Sequence, residues 1–298
     1  MRILLIGANG QIGWELQRTL MTLGEVIAVG RNEVDLSSPD TIRKGIREIK
    51  PNLIVNAAAY TMVDKAESEP ELAMAINGTA PGVIAEEAKL LGAGVVHYST
   101  DYVFNGNQVR PYTEEDPTDP QNVYGITKLT GEKAIQSINV PHLILRTSWI
   151  YGLRGKNFLL TMLRLARERE EIKVVDDQIG SPTWSRMVAQ STAQILAQGV
   201  NNITDFLENN GGLYHLTASG QTSWYGFAKT IFELDPHRSQ HKLKNLGAIA
   251  SSQYPTPAER PVYSSLNTEK IVKKFGLYLP NWHETLELTM GEIYRAEI

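Results

Sequence analysis

The feature that most constrains this chain stands at its beginning. A β-rich run, Arg2–Ile6, passes directly into Gly7-Ala8-Asn9-Gly10-Gln11-Ile12-Gly13, and a helical pattern opens inside that segment. Glycines at 7, 10 and 13 permit a tight strand-to-helix turn, close packing of helix on strand, and the approach of a pyrophosphate to backbone N–H groups at a helix N-terminus. The spacing is GxxGxxG rather than GxGxxG. Glycines crowd any tight turn, but directly after an N-terminal apolar strand the trio points to a dinucleotide. Gln11–Leu23 then sets Ile12, Leu16, Leu20 and Leu23 on one helical face.

The alternation continues. Val26–Val29, Leu53–Val55, Gly94–Ser99 and Val140–Leu145 read as buried strands. Between them lie helical patterns after Ser38-Pro39, around Glu71–Asn77 and Pro81–Leu91, and from Tyr124 onward. Strands without polar alternation, separated by helices, imply a parallel sheet covered on both faces. The fold class expected is α/β: a Rossmann-type doubly wound parallel sheet over 1–148, with a smaller α/β C-terminal substrate lobe over 149–298. A helix near 185–199 is expected to join the first unit. In the second half Phe158–Arg169, Arg186–Gln198 and Trp224–Leu234 read as helices, Leu213–Leu216 as a strand and Asn201–Gly212 as turns. Tyr254–Pro261, with three prolines, must be a loop.

Composition narrows the class. The 298 residues carry 29 basic and 33 acidic side chains, a net charge of −4, so a nucleic-acid partner is not expected. No membrane-length apolar run and no signal-peptide order occur, which favours a cytoplasmic protein without a membrane partner. The absence of cysteine removes disulfides, thiolate metal sites and a cysteine nucleophile. The six histidines, at 97, 142, 215, 237, 241 and 283, lack metal-binding spacing and read as satisfied or solvated.

The second strand ends Val29-Gly30-Arg31-Asn32, where an acid would select a ribose 2′-hydroxyl and an arginine a 2′-phosphate. Arg31 therefore favours NADP(H), with NAD(H) the other candidate, and the adenine is expected near Asp35 and Leu36. Further along, Tyr124 and Lys128 are i and i+4 on one helix face. A phenol near pKa ~10 is a poor acid or base at neutral pH, and an ammonium one turn away would bring it down. The fourth strand ends Tyr98-Ser99-Thr100-Asp101, where a hydroxyl is expected to steady a substrate oxygen.

Together, GxxGxxG, YxxxK and the upstream Ser/Thr resemble the extended short-chain dehydrogenase/reductase superfamily. Within it, segments along essentially the whole chain resemble the dTDP-4-dehydrorhamnose reductases: VNAAAYTMVDKAESEPELA at 55–73, VVHYSTDYVFNG at 95–106, NVYGITKLTGEKA at 122–134, DDQIGSPT at 176–183 and YPTPAERP at 254–261. The resemblance implies reduction of a nucleotide-sugar C4 keto group, with Tyr124 as proton donor, Lys128 on the nicotinamide ribose and Thr100 on the same oxygen as Tyr124. It further implies Gly10, Gln11 and Ile12 at the pyrophosphate and Ala57, Ala58 and Ala59 along the cofactor channel. Asp101 and Trp149 would face the sugar, and Arg260 the nucleotide diphosphate.

Some relatives hold Mg2+ at a dimer interface through three carboxylates. Glu15 and Glu292 match two of these positions but Arg186 stands at the third, which argues against Mg2+ and suggests that Arg186 bridges the two acids across the same interface. No metal is expected, and a homodimer is one reading of the assembly. Two further functions are compatible with the motifs: a nucleotide-sugar epimerase or dehydratase, and a non-catalytic cofactor-binding regulatory subunit.

Overall fold

The structure is a computed structural model and describes residues 1–295. In chain order its first half runs β1 (Arg2–Ile6), α1 (Gln11–Thr19), β2 (Glu25–Val29), α2 (Pro39–Ile49), β3 (Leu53–Asn56), α3 (Val63–Ala66), α4 (Pro70–Met74), α5 (Ala80–Leu91), β4 (Gly94–Thr100), α6 (Val123–Ile138) and β5 (His142–Thr147). There follow β6 (Ile150–Tyr151), α7 (Phe158–Glu168), β7 (Glu171–Val175), β8 (Ile179–Gly180), β9 (Thr183–Trp184), α8 (Ser185–Ala197), α9 (Ile203–Asn210) and β10 (Gly212–His215). The chain closes with β11 (Thr222–Ser223), α10 (Trp224–Leu234), β12 (Asn245–Ile249), α11 (Glu269–Phe275) and α12 (Trp282–Arg295).

Among the described residues one sheet dominates, with order β10-β5-β4-β3-β1-β2 and every pair parallel. Successive residues of a strand point to opposite faces, so a strand buried on both sides is apolar throughout. Ile3 and Leu5 accordingly join one core with Leu16 and Leu20 of the first helical segment, Val188 of α8 and Phe275 of α11. Leu4 and Ile6 join the other, with Ile42 of α2, Ile84 of α5 and Ile135 of α6. A third core, around Tyr151, Trp184 and Phe227, belongs to the second half of the chain.

The sheet draws on both sides of residue 148. β10 pairs with β5 at its edge, and α8 lies against α1. The segment expected to be turn-rich, 201–212, instead contains α9: Asn202 caps it by accepting from the Asp205 N–H, while Ile203 and Leu207 are buried beneath the sheet. Asparagine and aspartate here serve the cap and the solvent face rather than turns. The Tyr254–Pro261 segment is a loop, as its prolines require.

From β1 the chain steps outward to β2 and then crosses to β3 on the other side of β1. The crevice at such a crossing, beyond the carboxyl ends of the strands, is where open α/β sheets take ligands. Gly7, Ala57, Asp101 and Ser148 follow immediately after the carboxyl ends of β1, β3, β4 and β5.

Candidate active site

The glycine loop is built for a close neighbour. Gly7 has φ +90°, and a Cβ on it would lie 2.6 Å from the Ala58 backbone nitrogen and 2.8 Å from the Ala57 carbonyl carbon, so only glycine fits. A Cβ on Gly13 would strike the Gly7 carbonyl oxygen, which explains how α1 packs so tightly on the turn. Gly10 occupies the N-cap of α1 with no side-chain cap, leaving the first-turn N–H groups, those of Gln11 and Ile12 among them, without the usual oxygen. An anion is the natural partner for that end of a helix. Ala57, Ala58 and Ala59 border it, each partly exposed. The residues present therefore fit a dinucleotide pyrophosphate.

Arg31 lies just beyond β2 with a side chain 72 % exposed, its Nε 3.4 Å from Asp35 Oδ2. Asp35 also accepts from the Ser37 N–H and hydroxyl at 2.9 and 2.8 Å, bonds that hold its carboxyl below the usual range. Leu36 is buried, its side chain packed into the core with Ile42 and Ile46.

Tyr124 sits in the first turn of α6. Asn122 caps that helix, accepting from the Gly125 N–H at 2.8 Å and donating to the Glu259 carbonyl at 2.7 Å, which ties the proline loop to the helix start. The Thr100 hydroxyl, at the end of β4, lies near enough to the Tyr124 phenol to favour its charged form. Burial pushes that phenol up to about 12, against the pull of Thr100, with the Asp101 carboxyl adding to the rise. The expected lowering by Lys128 is not what this arrangement produces. Lys128 Nζ instead donates to the Tyr98 carbonyl at 2.5 Å and lies 3.2 Å from His97 Nε2, and burial brings it down to about 8. The i,i+4 spacing put both groups on one face, but the carbonyl of β4 captured the ammonium end.

Asp101 is 2 % exposed. Its Oδ1 accepts from the Thr100 hydroxyl at 3.1 Å, and burial raises it to about 7, opposed by Ser264 and Thr100. Trp149 follows β5 with φ +46°, a strained angle for a large side chain. Its indole stacks on Trp224, 3.5 Å between centroids and 4° between planes, and fills the space where a Cβ on Gly180 would be. Arg260 donates through Nη2 to Asp64 Oδ2 at 2.7 Å and through Nη1 to the Ala258 carbonyl at 3.2 Å, so the loop arginine already has an acidic partner.

Away from this cleft, Arg186 lies between Glu15 and Glu292 within one chain. Its Nε is 3.2 Å from Glu15 Oε2 and its Nη1 contacts Glu292 Oε1. A guanidinium directed at both carboxylates does not fit a divalent-cation site. Several neighbours of the site escaped sequence reading: His97 and Asn56 behind Lys128, Asp64 on Arg260, Ser264 beside Asp101 and Trp224 under Trp149. Only His97 carried a signal, two residues before Ser99-Thr100 on the same strand, and its meaning depended on pairing with β3.

Three comparisons bear on this arrangement. A family profile described as the RmlD substrate binding domain matches residues 1–295. The dTDP-4-dehydrorhamnose reductase of Escherichia coli K12 is 48 % identical over 299 residues, covering 99 % of this chain and 98 % of that protein. Among solved structures, a dTDP-4-dehydrorhamnose reductase from Clostridium acetobutylicum superposes with TM-score 0.88 at 37 % identity, covering 99 % of this chain and 100 % of that one. One from Bacillus anthracis, in complex with NADP, gives 0.86 at 35 % identity, covering 98 % and 99 %. The fold described above thus has counterparts of the same architecture.

Proposed function

The chain belongs to the dTDP-4-dehydrorhamnose reductase family, and from that premise we propose how its own residues carry out the NADPH-dependent reduction of the C4 keto group that yields dTDP-L-rhamnose. Bound at the glycine loop, the dinucleotide supplies the hydride. The observation that carries the reading is the Tyr124 phenol beside the Thr100 hydroxyl at the carboxyl edge of the sheet, on the same helix as Lys128.

In this reading the keto oxygen is held by the Thr100 hydroxyl and the Tyr124 phenol. Tyr124, pushed up to about 12, retains its proton at neutral pH and so enters the reaction as a loaded acid. The alkoxide that develops is a far stronger base than the ketone, and the transfer from Tyr124 neutralises it in a site with little water. The Thr100 hydroxyl has a single proton, which it gives to Asp101 Oδ1 at 3.1 Å in the free site and turns to the keto oxygen when substrate binds. Gly7, Gly10, Gln11, Ile12, Gly13 and Ala57–Ala59 receive the pyrophosphate side of the cofactor. Arg31 offers a fork for a 2′-phosphate, with Asp35 beside it, so NADP(H) is preferred over NAD(H). Lys128 serves the nicotinamide ribose.

Residues 149–298 contribute mainly to the substrate, with Trp149 against the sugar and Arg260 toward the diphosphate, its charge shared with Asp64. Arg186 brings to Glu15 and Glu292 the positive charge a divalent cation would otherwise supply. No helix among the described residues is long and apolar enough to cross a membrane, and a cytoplasmic location matches a nucleotide-sugar substrate.

The test is the loss of reduced-nicotinamide absorbance with dTDP-4-dehydrorhamnose, with NADPH and NADH in parallel, for wild type and Tyr124→Phe. Turnover by wild type and a fall of ~10²-fold or more in Tyr124→Phe, with cofactor binding unchanged, are expected. Oxidation of neither cofactor by the wild type sinks the assignment.

A further inference from the structure

Trp149 leaves β5 in a conformation that its own chain does not favour. At φ +46° it stands in the left-handed region, which a large side chain adopts only where its surroundings compel it. Thr147, two residues before it, pairs with Thr100 across β5 and β4, so the turn carrying Trp149 begins at the reaction end of the sheet. That turn is laced to the segment 180–184. The Ser148 hydroxyl donates to the Ser181 carbonyl at 2.9 Å, the Thr183 N–H donates to the Trp149 carbonyl at 3.2 Å, and Ile150 pairs with Thr183. Gly180 of β8 in turn pairs with Thr222 of β11, two residues before Trp224. One strand pair therefore fixes both walls around the indole.

Trp224 covers one face, with 3.5 Å between ring centroids and 4° between planes. Phe158, at the start of α7, leans on Trp224 with its centroid 4.6 Å away, so that wall is itself packed. Gly180 closes the other face. A Cβ built on it would lie 2.4 Å from Cε2 of the Trp149 indole, 2.6 Å from Nε1 and 2.7 Å from Cζ2, and no atom of Trp224 is nearer. An approach in the ring plane would meet Nε1 or Cζ2 before Cε2, and an approach between the two rings would meet Trp224 as well. The glycine thus lies over the ring, on the side away from Trp224. Stacking a sugar on an indole needs a free face, and Trp149 has none over its ring fusion. Its rim remains: Nε1, a donor only, makes no hydrogen bond among the described residues and is not buried.

On the reading of Trp149 as a residue of the nucleotide-sugar site, we infer that Trp224 and Gly180 are positioning residues: they hold the Trp149 indole edge-on, so that it meets the nucleotide sugar through Nε1–H as a hydrogen-bond donor and not as a stacking platform. The acceptor is a hydroxyl or phosphate oxygen of that ligand. A donor fixed between two walls loses little freedom when the ligand arrives. Because a hydrogen bond weakens steeply off its axis, such a donor discriminates among oxygen positions, whereas a stacking face accepts any flat apolar surface.

Calorimetric binding of dTDP-L-rhamnose to the full-length protein tests this, with the NADPH dissociation constant as a check that the dinucleotide site is intact. Trp149→Phe keeps a flat ring and removes the N–H, and is expected to weaken dTDP-L-rhamnose about fivefold. Trp224→Leu opens one wall and should weaken it as much, raising KM for the keto sugar more than it lowers kcat, while NADPH binds as before. In the double variant the two losses should not multiply, since a wall with no N–H to aim adds nothing. Gly180→Ala reaches the same indole from the other face and should act in the same direction, so a wall is tested even where Trp224→Leu does not fold. A Trp149→Phe protein that binds like wild type while Trp149→Leu does not would mean stacking, and overturns the inference. So does unchanged affinity in folded Trp224→Leu, or losses that multiply in the double variant. In the ligand-free protein the near-ultraviolet circular dichroism of the stacked pair should vanish in Trp149→Phe and in Trp224→Leu, and its survival in either overturns the slot. A wild type that shows the stack but does not bind dTDP-L-rhamnose refutes the reading of Trp149 as a substrate residue, and the donor role with it, while the slot stands.

Discussion

Asp101 carries a stability cost that a single isosteric change should remove. It is 2 % exposed, and burial raises its carboxyl from 3.8 to about 7. The native state therefore binds a proton more tightly than the unfolded chain does. Between those two values the native state holds the proton and the unfolded state has lost it, so stability falls as pH rises from about 4 and levels off above about 7. Three units at ~1.4 kcal/mol each give a full penalty of ~4 kcal/mol above neutrality, of which roughly a third is already present at about pH 5. Asp101→Asn keeps an oxygen to accept the Thr100 hydroxyl at 3.1 Å and does not ionise. Whatever fixed cost the amide brings, the variant should gain ~3 kcal/mol on wild type between about pH 5 and about pH 8. Urea unfolding followed by tryptophan fluorescence reads this. At a slope of ~3 kcal/mol/M the difference in midpoints should grow by ~1 M between the two pH values. An equal difference at both would refute the assignment of a buried, neutralised carboxyl at this position. Lower activity in the same variant, through a less well oriented Thr100, would show why the costly carboxylate sits there.

Other consequences can be checked more simply. Arg31→Ala removes the exposed guanidinium beyond β2 and should raise KM for NADPH about tenfold while leaving NADH unchanged; equal effects on both cofactors would exclude a 2′-phosphate contact. Arg146→Met strands the Glu132 carboxylate, since the pair is 3 % and 2 % exposed, and should cost ~3–5 kcal/mol in urea unfolding. Adding Glu132→Leu to the same chain should recover most of that loss, and a double variant no better than the single would show that the pair is not the source.

Features set by neighbours in the chain were readable without coordinates. The glycine loop is one, because the clash of a Cβ on Gly13 with the Gly7 carbonyl follows from making a strand, a turn and a helix in twelve residues or so. Tyr124 and Lys128 are another, since i and i+4 meet on any helix. The apolar strands announced a sheet buried on both faces, and Thr100 its carboxyl end.

What each group does once the strands are paired was decided only by the tertiary fold. The i,i+4 spacing says that Lys128 can approach Tyr124, but the Tyr98 carbonyl and the His97 ring, on a strand some thirty residues earlier, capture its nitrogen. His97 in turn meets Asn56, a further forty-one positions away. Arg260 meets Asp64 across 196 positions, and β10 reaches the sheet edge from far along the chain. Local spacing restricts which side chains share a face. Protonation states, orientations and partners instead follow from burial and from donors and acceptors that separate segments bring together, and no local pattern records those.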